Sequence, residues 1–168
     1  MTEVASALQA TRTAVEALIA AAEGSAAVWT THPPSSRKVV PFSAGGARRS
    51  HPHEGAKVVA GKPSKFPRLP FFLRPLMRGL FFRRVLGTGR FARAKTNKAM
   101  DPETGPTSPS DARARLNASL AAFERACQAR AEVADEVSKS MFGPVPPIDY
   151  VRFTELHTLH HLGQMPQE

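Results

Sequence analysis

Three stretches of this chain repeat large apolar residues at spacings of three, four and seven, and no stretch alternates them at the two-residue period of a half-buried strand. Residues 3–23 place Val4, Leu8, Val15, Leu18, Ile19 and Ala22 on one helical face, with Thr2 as a cap and Gly24 as a stop. Residues 110–140 predict the longest helix, capped by Ser110 or Asp111, with Leu116, Leu120, Phe123, Cys127, Val133 and Val137 on one face. Gly143, Pro144, Pro146 and Pro147 then break the chain, and residues 148–165 form a third run with Val151, Phe153, Leu156, Leu159 and Leu162. A fourth, imperfect helix spans 71–86 and is interrupted by Pro75 and Gly79. Residues 30–57 are different: His32, Pro33, Pro34, Pro41, Gly45, Gly46, Pro52 and Gly55 leave no period of either kind. With 168 residues the chain holds one domain, 1–168. The expected fold is all-α, a four-helix bundle in which an irregular basic segment replaces part of helix two.

The net charge of +9 is unevenly spread. Residues 35–98 hold 16 of the 23 Lys and Arg and a single acid, Glu54, a local charge of +15. The remainder has 7 basic and 13 acidic residues and carries −6. One cysteine, Cys127, excludes an intramolecular disulfide framework and fits a reducing compartment; at its place in the apolar stripe it reads as a core residue. Trp29 and Tyr150 read as packing residues with a polar edge. No basic n-region precedes an apolar run at the N-terminus, and no run of about 18 apolar residues occurs, so the expected location is the cytoplasm. No Gly-rich phosphate loop, serine elbow or CxxC pair is present.

The chemistry-bearing feature is a histidine cluster, Glu155-Leu156-His157-Thr158-Leu159-His160-His161-Leu162-Gly163-Gln164. His157 and His161 are four apart, so their rings share a helical face and can converge on one metal ion. An open divalent site takes three protein ligands, and such a pair supplies two. His160 is three residues from His157 and can share that face; Gln164 lies one turn further on and can orient a ligand or a water. The same spacing also occurs in partly exposed histidines without a ligand role.

The His-x-x-His-His-Leu-x-Gln ending, preceded by Met141-Phe142-Gly143-Pro144-Val145-Pro146-Pro147, resembles the end of a DinB-like protein, within a branch of unknown function. The run Gly61-Lys62-Pro63-Ser64-Lys65-Phe66-Pro67-Arg68-Leu69-Pro70 and the stretch Met100-Asp101-Pro102-Glu103 are similar to the same branch. The resemblance covers residues 57–168 well and 1–29 loosely. It implies an up-down-down-up four-helix bundle holding zinc or nickel on three histidines, one late in helix two and a pair on helix four, here His157 and His161. It also implies a thiol-dependent transferase or related metal-dependent enzyme using bacillithiol, mycothiol or a similar low-molecular-weight thiol. A small, anionic substrate would suit the basic residues, and a homodimer is a candidate assembly.

Helix two of the family carries Trp-Ser and a histidine seven residues after the serine, and residues 30–55 contain no such motif. The candidates for a third ligand are His51 and His53, expected outside any helix because Pro52 lies between them. Codon degeneracy suggests an origin for the mismatch. Lys38-Val39-Val40-Pro41 encoded as AAG GTG GTC CCC reads Arg-Trp-Ser one base later. The same offset through Arg48 can give Pro-Ser-Gln-Pro-Val-Ala-His, with the histidine at the family spacing. Residues from roughly 34 to 55 are therefore read as out of frame, and loss of the helix-two histidine is expected to weaken metal binding.

A non-enzymatic alternative rests on residues 71–84, where Phe71, Phe72, Leu73, Leu76, Leu80, Phe81 and Phe82 alternate with Arg74, Arg78, Arg83 and Arg84. A basic amphipathic helix of this kind binds an anionic membrane surface or nucleic acid. The plainer expectation is that the Phe and Leu residues pack on the bundle while the arginines are solvated.

Overall fold

The computed structural model describes residues 3–24, 51–63, 69–91, 108–133, 136–137 and 140–165. Among them every regular element is a helix, and the one β-type pairing is an isolated antiparallel bridge between Val137 and Val145. Helix α1 is Glu3–Gly24 and α2 is His51–Val59. A composite run, α3, joins a 3-10 turn Phe71–Leu73, α-turns Arg74–Met77, a π-turn Arg78–Phe82 and a last α segment Arg83–Thr88. Helices α4, Pro109–Val133, and α5, Pro147–Leu162, complete the order. Thr2 and Trp29 lie outside the described residues.

Helix α1 buries Leu8, Val15, Leu18, Ile19 and Ala22, as its spacing predicts, and adds Thr11, whose hydroxyl donates to the Ala7 carbonyl at 2.9 Å. Its neighbours fix the relative senses of three helices. Arg152 of α5 pairs with Glu3 at one end of α1, while Met165, just past α5, packs on Leu18 and Ala22 at the other, so α1 and α5 run in the same direction. Arg12 pairs with Glu124 and Glu23 with Arg113, so α4 runs against α1. These pairs are partly exposed, and their contribution is orientation more than energy.

Helix α2 corrects the last part, 51–57, of the segment expected to be irregular, and with it the expectation that His51 and His53 lie outside a helix; residues 30–50 lie outside the described residues. Pro52 occupies the first turn, where the missing N–H has no intrahelical acceptor to lose. Gly55 brings the helix against α4: a Cβ there would stand 3.3 Å from Cδ2 and Cε2 of Phe123. Val58 and Val59 are fully buried in the same cluster as Phe123, Cys127, Tyr150 and Val151.

The interruptions expected at Pro75 and Gly79 take the form of changes in helix type, and the run itself continues. Pro75 is the second residue of the α segment, directly after the Arg74 N–H, which closes the 3-10 turn on the Phe71 carbonyl. Gly79 sits inside the π-turn, which places the adjacent Phe81 and Phe82 both toward the core. The run ends at Gly89, in the left-handed region at φ 65°, whose N–H donates to the Val85 carbonyl at 2.8 Å.

Helix α4 starts one residue earlier than expected and ends seven sooner. Its cap is Ser108, whose Oγ accepts from the Asp111 N–H at 3.1 Å, with Pro109 at the first helical position. Leu116, Leu120, Phe123 and Cys127 form the buried face, but Val133 is 76% exposed and Val137 has left the helix. The Val137 N–H instead donates to the Val145 carbonyl at 2.7 Å. Ser140 closes the intervening turn, its Oγ donating to the Gly143 carbonyl and accepting from the Phe142 N–H. Burial of Val137, Phe142 and Val145 outweighs the helical propensity of a segment that has no breaker before Gly143.

Candidate metal centre

Helix α5 starts after Pro146 and buries Pro147, Tyr150, Val151, Thr154 and Thr158, so its inward stripe is more polar than expected. Thr154 and Thr158 hide their hydroxyls by donating to the carbonyls of Tyr150 and Thr154, at 3.0 Å each. Leu159, expected on the apolar face, is 42% exposed. This rotation leaves His157, His160 and His161 half-buried at the helix end, beside the core but not within it.

The two histidines four apart do converge. Their Nε2 atoms stand 2.8 Å apart and the ring centroids 4.6 Å. One Nε2–H therefore donates to the other Nε2. His161 Nδ1 lies 3.3 Å from Gln164 Oε1, an acceptor; with the His161 proton on Nδ1 in that bond, its Nε2 presents a lone pair. The amide of Gln164 in turn donates to His160 Nε2 at 3.0 Å. His157, His161, Gln164 and His160 thus form a chain of donors pointing one way, which polarises each bond in it.

Gln164 can fold back because the chain turns after Leu162. The Gly163 N–H donates to the Leu159 carbonyl and the Gln164 N–H to the His161 carbonyl, tightening the end of the helix beneath the amide. From the other side comes Phe91, two residues after Gly89. Its ring centroid is 5.0 Å from those of His157 and His160, and it is stacked on the latter. Phe91 also meets Phe153 at 5.4 Å, and Phe153 packs on Phe82 and Phe142, so an aromatic column runs from the core to the histidines. Phe91 is the site residue that sequence reasoning missed, and no spacing in the chain marks it.

Burial holds the His161 pKa below the ordinary imidazole value, helped by the nearby His160 and opposed by the bond to Gln164. The ring is neutral at physiological pH, the form that ligates metal. A tetrahedral ion at about 2.0–2.1 Å from each nitrogen would set them roughly 3.3 Å apart, half an ångström more than the hydrogen-bonded pair. Two imidazoles are two of the three protein ligands that an open divalent site takes, and ligation through both Nε2 atoms would require the His157 proton to move to its Nδ1. His160, with its Nε2 accepting from Gln164, is placed to hold the amide and not to ligate through that atom.

Among the described residues, no group of three or more His, Cys, Asp or Glu side chains gathers as a metal site. The side chains of His51 and His53 lie outside the described residues. Their backbones are in the first turn of α2. Near their helix, the position of a Cβ on Gly55 is 4.0 Å from Tyr150 Cε1, and Tyr150 is about 10 Å along the α5 axis from His157.

Cys127, expected in the core, is there. Burial, with Glu124 nearby, pushes its thiol up to about 12, which removes it as a nucleophile at neutral pH. Tyr150 is buried with it and its phenol is likewise pushed up. No helix among the described residues is long and apolar enough to cross a membrane. Compared with protein-family models, curated proteins and solved structures, the chain matches none.

Proposed function

We propose that this chain is a DinB-like four-helix-bundle protein that binds zinc or nickel through His157 and His161 and uses the metal in thiol-dependent transfer chemistry. The observation that carries the reading is the meeting of the two Nε2 atoms at 2.8 Å, with Gln164 holding the proton of His161 on the opposite nitrogen. A pair of surface histidines without a ligand role has no need of a third side chain that selects the ligating tautomer. The senses of three helices support the up-down-down-up reading: α1 and α5 run together and α4 runs against them.

In this reading His157 and His161 are two of three ligands, and His51 or His53 is the candidate for the third. A bound metal would lower the pKa of a low-molecular-weight thiol, of the bacillithiol or mycothiol kind, so that it attacks as a thiolate near neutral pH. The chain's own residues do the rest. Gln164, held in turn by His160, orients the His161 ring, and Phe91 and Phe153 cover one side of the His157 ring. Basic residues from the middle of the sequence would favour an anionic small-molecule substrate.

Calorimetric titration of the metal-free full chain with zinc and with nickel tests the proposal. One site per chain is expected, lost in His157→Ala and in His161→Ala. An affinity unchanged in both variants, or no heat with either metal, would overturn it.

A further inference from the structure

Among the described residues, seven large apolar side chains are exposed, and five of them fall within ten residues of α3: Phe71 (79%), Phe72 (65%), Leu73 (37%), Leu76 (53%) and Leu80 (66%). Phe72, Leu76 and Leu80 are spaced four apart and form a single ridge along the outer side of the helix. The inner side is already committed: Phe82 and Val85 are buried, and Met77, Phe81 and Leu86 pack on the same cluster. The ridge is therefore surplus to the core, and a contiguous exposed apolar face marks a binding surface.

We infer that this face of α3 is a docking site for an anionic lipid surface, on which the helix lies in the plane of the headgroups. Charge selects the occupant. Residues 55–100 contain 12 Lys and Arg and no Asp or Glu, so no like-charged group opposes an anionic surface anywhere in the segment that carries the ridge. Arg83 and Arg84 are exposed in the turn directly beyond Leu80, where they would meet headgroups while Phe72, Leu76 and Leu80 enter the acyl boundary by about 5–10 Å.

The arrangement fits lipid better than nucleic acid. A phosphate-tracking surface turns its cations outward, whereas Arg74 Nε donates to the Leu69 carbonyl and Arg78 Nη1 to the Pro144 carbonyl, both at 3.0 Å, and the outermost side chains are apolar. Four arginines within 71–88 exclude insertion across the bilayer and leave a helix that lies on it. The inference does not depend on the metal site.

Flotation of the full chain with vesicles of phosphatidylglycerol and phosphatidylcholine, 1:1, tests it. Two variants accompany the wild type: Phe72→Ser/Leu76→Ser/Leu80→Ser, which removes the ridge, and Arg83→Glu/Arg84→Glu, which reverses the charge. Both alter exposed residues, so both should keep the wild-type circular dichroism and unfolding midpoint. The wild type should float with the mixed vesicles and not with phosphatidylcholine alone, and each variant should lose at least about tenfold in the bound fraction. Equal flotation with neutral vesicles, or undiminished flotation of the ridge variant, would overturn the proposal. So would a chain that fails to float but retains duplex DNA, or a wild-type dimer that becomes monomeric in the ridge variant and binds no vesicles.

Discussion

The Gln164 side chain accepts from His161 and donates to His160, so a Gln164→Ala variant should keep both proposed ligand rings yet lose the bond that fixes one of them. Its affinity for zinc should fall by about 10- to 100-fold, the usual consequence of removing a partner of a ligating imidazole, with the stoichiometry unchanged. Histidine titration by NMR on the metal-free chain gives a second reading of the same bond. The midpoint of His161 should lie below that of an unperturbed histidine, and Gln164→Ala should move it lower still, because that bond favours the charged ring while burial disfavours it. The linkage has a definite sign. A depressed imidazole pKa means that the unfolded chain binds the proton more readily, so the contribution of His161 to stability is complete above the unfolded pKa, about 6.5. It is lost as pH falls from there through the folded pKa. Cys127 makes a complementary prediction: with its thiol buried and pushed up to about 12, labelling at pH 7.5 should proceed only at the rate at which the chain opens.

Helix α2 owes its place to Phe123. The ring lies against Gly55 in the same cluster as Val58 and Val59, so Phe123→Ala should cost about 3–5 kcal/mol in urea unfolding. Gly55→Val places two further methyl groups against that ring and should cost about 1–3 kcal/mol. Long helices were legible in the sequence because their period runs through whole turns: α1 begins at its expected boundary, and the buried face of α4 as far as Cys127 is the expected one. What misled was reading Pro and Gly as breakers without regard to position. Pro52 and Pro75 stand in first turns, Gly55 is a contact point and Gly79 lies inside a π-turn, so none of them ends a helix. The opposite error occurred at Val133, where α4 ends with no breaker at all because Val137 finds a bridge partner and a buried place. At the site, the spacing of His157 and His161 was enough to expect convergence, since a helix carries positions four apart onto one face. Phe91 was invisible because its approach depends on how α3 packs on α5, which no local pattern encodes.

Across the whole molecule, the charge asymmetry and the mismatch with the helix two that the proposed DinB-like reading expects meet in the same part of the chain. Gly55, Val58 and Val59 pack on α4 as encoded, which leaves the segment before α2 as the place where an offset reading frame would operate. Sequencing the coding DNA for residues 30–57 should reveal, one base out of register, codons for Trp-Ser and for a histidine seven residues later; an offset frame without them would remove that explanation of the missing ligand. The central claim, however, concerns the histidines that are present. Its most direct test is a long-range nitrogen–proton NMR spectrum of the histidine rings of the full chain, recorded without zinc and with one equivalent. Addition of zinc should shift Nε2 of both His157 and His161, leave the proton of His161 on Nδ1, and leave His160 Nε2 in its bond to Gln164. A spectrum in which neither Nε2 moves, or in which His160 responds while His161 does not, would contradict the assignment of this helix end as a metal centre.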